Sequence, residues 1–141
     1  MKLGSEIIAQ RFELVEKIKP LVTQIYKQIS GDERQAEIAL VTSVLSSGLD
    51  VDEEEAVLTT TDRQWIAEKF QARLEELRPR ELERGITLVG PHRDDLKLML
   101  GEFPAKGYIS YGEGWSYAIA LKLASAQLLR TESQSGDPIL I

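Results

Sequence analysis

The stretch Ile109–Ala124, "ISYGEGWSYAIALKLA", decides how this sequence is interpreted. A polar segment with two glycines and a serine at each end leads into a run that is apolar on nearly every side. The run predicts a buried helix from about Trp115 to Arg130, preceded by a loop. Because the first backbone amides of a helix are unpaired and favour an anion, the loop is a candidate phosphate site.

The same residues also have a purely structural interpretation. The Ser110 hydroxyl and the backbone at Gly112 suit an anion, yet Ser116 is equally suited to capping the helix, with the glycines making the turn. The loop has no lysine in a Gly-Lys-Ser arrangement, so it is not a P-loop. The residues alone leave both interpretations open.

Composition limits the class of protein. The chain has 141 residues, is 43% hydrophobic and 28% charged, and has the size and mixture of one globular domain. A net charge of -6 argues against a surface that binds nucleic acid as a whole. The absence of cysteine excludes disulfides and thiolate metal sites, and with no signal-peptide pattern we predict a cytoplasmic protein.

Residues 1–84 predict a mainly helical arm. Within it, the β-branched run at 36–45, "AEIALVTSVL", predicts a buried strand, with a short helix as the alternative. A second helix is predicted to begin at a Thr61–Gln64 capping box and to end or kink at Pro79. The acidic run Asp50–Glu55 predicts a solvated connector or a helix start, and it lacks the glycine and spacing of a calcium loop.

Three arginines give the end of that second helix a basic character. Arg78, Arg80 and Arg84 are candidates for DNA contact, but glutamates are interleaved with them. This alternation is also typical of a charged face exposed to solvent. The DNA-binding residues therefore stay undetermined.

Residues 85–141 predict β structure followed by the long helix. "GITLVGP" (85–91) and "LKLML" (96–100) predict short strands, and "PILI" (138–141) predicts a buried one. Between the first two lies a turn that carries His92, Arg93, Asp94 and Asp95. His92 with Asp94 and Asp95 suits metal binding or acid–base chemistry. Alternatively, the aspartates cap backbone amides or pair with a neighbouring arginine such as Arg93. Since the chain has a single histidine, we predict no metal site.

Three segments, "GITLVGPHRDDL", "SYGEGWSYAIALKLASAQLL" and "GDPILI", taken in order closely resemble the C-terminal half of the RecF recombination-repair family. That family belongs with ATP-binding-cassette-type ATPases related to structural-maintenance and double-strand-break-repair proteins. The resemblance is strong from Gly85 to Ile141 and looser upstream. It implies an α+β fold, in which the helical arm (1–84) precedes part of an ATPase head lobe (85–141) with a β-hairpin or sheet and a long buried signature helix.

The resemblance also assigns a role to the opening loop. "ISYGE" matches the superfamily signature Leu-Ser-Gly-Gly-Gln, with Ile109 at the leucine position, Ser110 at the serine and Gly112 at the second glycine. Tyr111 replaces the first glycine and Glu113 the glutamine. In this architecture the signature loop closes over the γ-phosphate of ATP bound to the partner subunit. Ser110, Tyr111, Gly112 and Glu113 are thus the implied nucleotide-contacting residues.

The rest of the ATPase site is expected outside this chain. The family's Walker A loop lies upstream and its Walker B acids follow a strand like "PILI", so this chain alone is expected to be a fragment without ATPase activity. For the full-length protein the resemblance implies ATP and Mg as cofactors, slow DNA-dependent hydrolysis, an ATP-dependent homodimer, and action on single- and double-stranded DNA at gaps and junctions. Its implied partners are RecO, RecR and the RecA recombinase, in repair, recombination, replication and the SOS response. Two rivals remain: an interaction module that binds no nucleotide, and a stand-alone DNA-binding module.

Overall fold

The computed structural model describes residues 2–31, 33–46 and 56–133. The elements, in chain order, are helix α1 (Lys2–Ser30), strand β1 (Ala36–Val41), helix α2 (Arg63–Arg84), a 3-10 turn (Pro91–Arg93), strands β2 (Asp95–Leu100) and β3 (Phe103–Pro104), a short turn α3 (Ala105–Tyr108) and helix α4 (Tyr111–Glu132). The sheet has the order β1-β2-β3, and β2 and β3 are antiparallel. The predicted α+β class is confirmed.

These elements belong to two compact units. One unit contains residues 1–14 and 39–96, and the other contains residues 15–38 with the described part of 97–141. Each unit therefore combines pieces of the predicted arm (1–84) and the predicted head lobe (85–141). The assignment of those two segments to an arm and a lobe stays a prediction.

In the first unit, the start of α1 packs against α2. A side chain at Gly4 would come within 2.5 Å of the Phe70 ring, so only glycine permits this close approach. At the edge of the contact, Arg63 donates to Glu6 (2.8 Å) and to Glu13 (3.1 Å). The core beneath consists of apolar side chains that are almost fully buried: Ile8, Ala9, Leu40, Val44, Leu58, Ile66, Phe70, Leu77 and Val89.

In the second unit, the rest of α1 and α4 share a core with the sheet. The rings of Tyr26 and Tyr117 lie 5.6 Å apart in this core. The Thr23 hydroxyl donates to the carbonyl of Ala36 at 2.7 Å, which ties α1 to the first residue of β1. The buried apolar side chains are Val15, Val22, Ile25, Tyr26, Ala36, Ile38, Leu100, Ala105, Tyr117, Ala120, Ala124 and Ala126.

The predicted end of α2 at Pro79 and its predicted start at Thr61 were wrong because a local signal was given too much weight, while the alternative of a kink at Pro79 stays a prediction. Helix α2 continues through Pro79 to Arg84 and ends at Gly85, whose φ of 66° is the left-handed conformation typical of a helix end. It begins after Asp62, whose carboxylate accepts from the amides of Gln64 and Trp65, so the predicted Thr61 capping box is wrong.

Predicted β structure was also longer than observed. Strand β1 ends at Val41, and residues 43–45 form a turn instead of completing the predicted strand 36–45. Residues 85–91 form no strand: the Leu88 amide donates to the Glu81 carboxylate (2.7 Å) and the Gly90 amide to the Ser43 hydroxyl (3.0 Å). The predicted strand at 96–100 is confirmed within β2. The acidic run 50–55 and the predicted strand 138–141 lie outside the described residues.

No helix in the described ranges is long and apolar enough to cross a membrane.

Candidate functional site

Ser110 forms the N-cap of helix α4. Its side-chain oxygen accepts from the Glu113 amide at 3.3 Å, while the Glu113 carboxylate accepts from the Ser110 amide at 2.6 Å. This reciprocal pair is a capping box, and it places the helix start at Tyr111. The prediction that the helix begins near Trp115 with Ser116 as a possible cap was wrong, because Ser116 lies inside the helix.

The Glu113 carboxylate is held from two sides. Its Oε2 accepts from the Ser110 amide, and its Oε1 accepts from the guanidinium of Arg34. The hydrogen bonds with Ser110, and then Arg34, lower the pKa of Glu113 from 4.5 to about 2. Glu113 is therefore ionised at neutral pH and is fixed in one orientation.

The first turn of α4 is open to solvent beside this pair. Tyr111 is 83% exposed, and a side chain added at Gly112 would meet no atom within 4 Å. The first intrahelical hydrogen bond runs from the Gly114 amide to the Ser110 carbonyl. As the first two helical residues, Tyr111 and Gly112 have no intrahelical acceptor for their amides. Those two amides and the Ser110 hydroxyl proton lie at one accessible end of the helix.

Tyr117 anchors the helix behind this end. Its hydroxyl donates to the carbonyl of Glu37 in β1 (2.6 Å) and lies 3.3 Å from that of Met99 in β2. Burial raises the pKa of the phenol above its usual value, so it stays a donor at neutral pH. The predicted burial of the helix on nearly every side is not observed. Its buried residues are Tyr117, Ala120, Ala124 and Ala126, whereas Tyr111, Trp115, Ile119, Leu123 and Leu129 are exposed.

The turn after Gly90 belongs to the first unit and is organised around Asp94. The Asp94 side chain is 1% exposed, and its Oδ1 accepts from the Thr42 hydroxyl (2.9 Å) and the Ser43 amide (3.3 Å). Its Oδ2 lies 3.7 Å from Arg11 and accepts no hydrogen bond from the described residues. Burial raises the pKa of Asp94 despite these donors. The carboxylate thus caps an amide, as in the structural interpretation, but the arginine that it faces is Arg11 and not the neighbouring Arg93.

The other three residues of this turn lie at the surface. His92 Nε2 is 2.7 Å from the Thr87 hydroxyl, and Arg93 donates twice to the Thr87 carbonyl (3.0 and 2.8 Å). Asp95 is exposed and accepts from the Leu96 amide at 2.8 Å. The structure therefore separates the buried carboxylate from its exposed neighbours, and a functional role for His92, Arg93, Asp94 and Asp95 stays a prediction.

The candidate DNA-contacting arginines are all exposed on the last part of α2. Arg78 lies 3.8 Å from the Glu81 carboxylate, which is itself buried. A role in DNA binding for Arg78, Arg80 or Arg84 stays a prediction. Among the described residues, no three histidine, cysteine or acidic side chains are grouped closely enough to hold a metal ion.

Sequence patterns missed the residues that support both sites from a distance. Arg34 is 79 positions before Glu113, and Thr42 is 52 positions before Asp94. Neither spacing follows a helix or strand period, so no local signal connects these residues. The only local signal was the Ser-x-x-Glu spacing of Ser110 and Glu113, which is that of a capping box.

Comparison with known proteins agrees with the resemblance. The chain is 44% identical over 147 aligned residues to the DNA replication and repair protein RecF of Clavibacter sepedonicus, covering 99% of this chain and 36% of that protein. It is 40% identical over 142 residues to the RecF protein of Leifsonia xyli, covering 100% of this chain and 37% of the relative. Over almost its whole length the chain is similar to RecF proteins. It spans little more than a third of the length of these curated relatives.

Solved RecF structures have the same fold. The structure of the recombination mediator protein RecF-ATPrS in the RecFOR pathway superposes with a TM-score of 0.80 at 27% identity, covering 97% of this chain and 33% of the RecF chain. The corresponding RecF-ATP structure gives a TM-score of 0.76 at 29% identity, with the same coverage. No protein-family model matches the sequence.

Proposed function

We propose that this chain is the signature-bearing segment of a full-length RecF protein, which binds ATP and acts as a recombination mediator in DNA repair. The observation that carries this proposal is the start of α4, where Ser110 caps the helix and the first turn is exposed. RecF proteins similar to this chain have been solved with ATP and with ATPrS. A nucleotide in the full-length protein would supply the anion that this helix end suits.

Within that function, Ser110, Tyr111, Gly112 and Glu113 form the nucleotide contact with a partner subunit. Ser110, Tyr111 and Gly112 donate to the γ-phosphate, and the Glu113 carboxylate holds the Ser110 amide. Two amides and one hydroxyl are suitably placed donors, because a phosphate oxygen accepts hydrogen bonds from backbone N–H groups and hydroxyls. The exposure of Tyr111 keeps this end accessible from outside the unit. The contact requires two subunits, so ATP binding and dimerisation are linked.

The wider activity belongs to the full-length protein. Mg accompanies ATP, hydrolysis is slow and depends on DNA, and the dimer acts at gaps and junctions with RecO, RecR and RecA. The name RecFOR pathway, which the similar solved structures carry, supports the first two of these partners. The net charge of -6 indicates that any DNA contact made by this segment uses a local patch, for which Arg78, Arg80 and Arg84 are the candidates.

The test compares two substitutions in a full-length RecF protein that carries this segment. Ser110→Asp and Ser110→Asn are similar in size, and both preserve the N-cap. Only aspartate puts a negative charge where the proposal places a phosphate. We expect Ser110→Asp to abolish dimerisation by a slowly hydrolysed ATP analogue in sedimentation experiments, and Ser110→Asn to retain most of it.

Thermal melting of both variants is the control, since two good caps should give the same melting temperature. Equal dimerisation by the two variants would show that no phosphate approaches Ser110 and would refute the proposed contact. The first turn of α4 would then be a helix start alone.

A further inference from the structure

Arg34 forms an ion pair with the capping box of α4. Its guanidinium donates to Oε1 of Glu113, while Oε2 of the same carboxylate holds the Ser110 amide. Arg34 lies in the segment between α1 and β1, next to the turn at Gly101. The Gly101 amide donates to the carbonyl of Gln35 at 2.8 Å, which fixes this segment to the β2–β3 turn.

The capping box creates an electrostatic conflict at the proposed phosphate contact. The Glu113 carboxylate stabilises the helix end, but it is a full negative charge one hydrogen bond away from Ser110. A phosphate that approaches the Ser110 hydroxyl meets this like charge within the same capping box. Without compensation, the group that fixes Ser110 would also repel its ligand.

We propose that Arg34 is a positioning residue for the nucleotide contact of Ser110, because it neutralises Glu113 and holds that carboxylate on the Ser110 amide. This inference rests on the proposed function. It adds a residue outside the "ISYGE" segment and assigns it a measurable electrostatic role. Side-chain exposures of 44% for Arg34 and 24% for Glu113 put the pair at the surface, where a ligand can sense its charge.

A double-mutant cycle in the full-length protein tests this role. Arg34→Ala is made in the wild-type background and again in the Glu113→Gln background, where the side-chain oxygen still accepts from Ser110 but carries no charge. In the wild-type background we expect Arg34→Ala to weaken dimerisation by the ATP analogue about three- to tenfold, the effect of one like charge at a partly exposed site. In the Glu113→Gln background the same substitution should change it less than about twofold.

The salt dependence of dimerisation distinguishes an electrostatic role of Arg34 from a purely structural one. The loss caused by Arg34→Ala, taken as a ratio to wild type, should shrink as ionic strength rises from about 0.05 to 0.5 M, because exposed charges are then screened. Arg34→Lys should retain most of the dimerisation. Lys27→Ala is the matched control, since it removes a cation from another exposed ion pair, with Glu33 at 3.5 Å.

The results separate this inference from the proposed function. An equal loss in both backgrounds, a ratio that does not depend on salt, or no loss at all would refute the role of Arg34. If Ser110→Asp and Ser110→Asn still differ in that case, the phosphate contact stands without Arg34. If those two variants behave alike, the phosphate contact itself is refuted.

Discussion

Asp94 and Glu113 are both carboxylates that accept a backbone amide, yet their environments are opposite. The Asp94 side chain is almost completely buried, and desolvation raises its pKa although Thr42 and Ser43 donate to it. Glu113 stays partly exposed, and its donors lower its pKa to about 2. The segment "GPHRDD", which resembles an active site more, therefore has one of its two acids, Asp94, buried, whereas the capping box of α4 is accessible to solvent.

The largest expected effect on stability concerns the buried member of this pair. Asp94→Ala leaves the Thr42 hydroxyl, in a residue that is fully buried, without its acceptor. We expect a loss of about 1–3 kcal/mol in the free energy of unfolding, measured by urea denaturation of the chain. Asp95→Ala is the control, and as an exposed change it should stay within about 0.5 kcal/mol. Similar values for the two variants would show that Asp94 does not organise the turn.

A smaller effect is expected at the start of α4. Ser110→Ala removes the N-cap and should lower the free energy of unfolding by about 1 kcal/mol. Ser116→Ala lies inside the helix, where alanine is the best helix former, and should change it by less than about 0.5 kcal/mol. Thermal melting of the two variants measures the difference. The reverse order would place the helix start at Ser116.

The smallest effect is the pH dependence, and its sign differs between the two carboxylates. Because the pKa of Glu113 is lowered, its contribution to stability is present above pH 4.5 and is lost as pH falls towards about 2. Because the pKa of Asp94 is raised, the folded state keeps this proton to a higher pH than the unfolded state does. The free energy of unfolding therefore falls as pH rises above 3.8. Relative to Glu113→Gln, the wild-type chain should therefore gain stability with rising pH.

Relative to Asp94→Asn, the wild-type chain should lose stability with rising pH. Urea midpoints measured for the three proteins between about pH 2 and 6 give both differences. Slopes of the same sign would mean that the two environments do not differ as described.

The sequence predicted periodic elements better than their ends. The second predicted helix was correct as an element, because its buried residues Ile66, Phe70 and Leu77 recur with the helical period. The strand predicted at 85–91 was wrong, because two of its backbone amides donate to side chains instead of to a neighbouring strand. Leu88 donates to the Glu81 carboxylate and Gly90 to the Ser43 hydroxyl. β propensity describes a pleated, half-buried surface and does not identify such partners.

For the candidate site, the sequence supplied residue types but not their geometry. Ser110 and Glu113 were singled out through the family resemblance, while the capping spacing between them predicted no ligand by itself. The position of the helix start was missed because Tyr111 and Gly112 are poor helix formers, and the tertiary contact of Glu113 with Arg34 outweighs that weakness. Long-range partners such as Arg34 and Arg11 follow from the fold and from no local pattern.

Tyr117 fixes how many residues can separate the N-cap Ser110 from the point where α4 contacts the sheet. Its hydroxyl lies against carbonyls of both β1 and β2, and it follows Ser110 by seven residues, close to two helical turns. One residue inserted between them would rotate Ser110 by about 100° around the helix axis and move it about 1.5 Å along that axis. The lengthened helix would still have its N-cap and its Tyr117 anchor, but Ser110 would face a different direction. Graft designs that borrow this helix must therefore carry the anchor and the cap together, in phase.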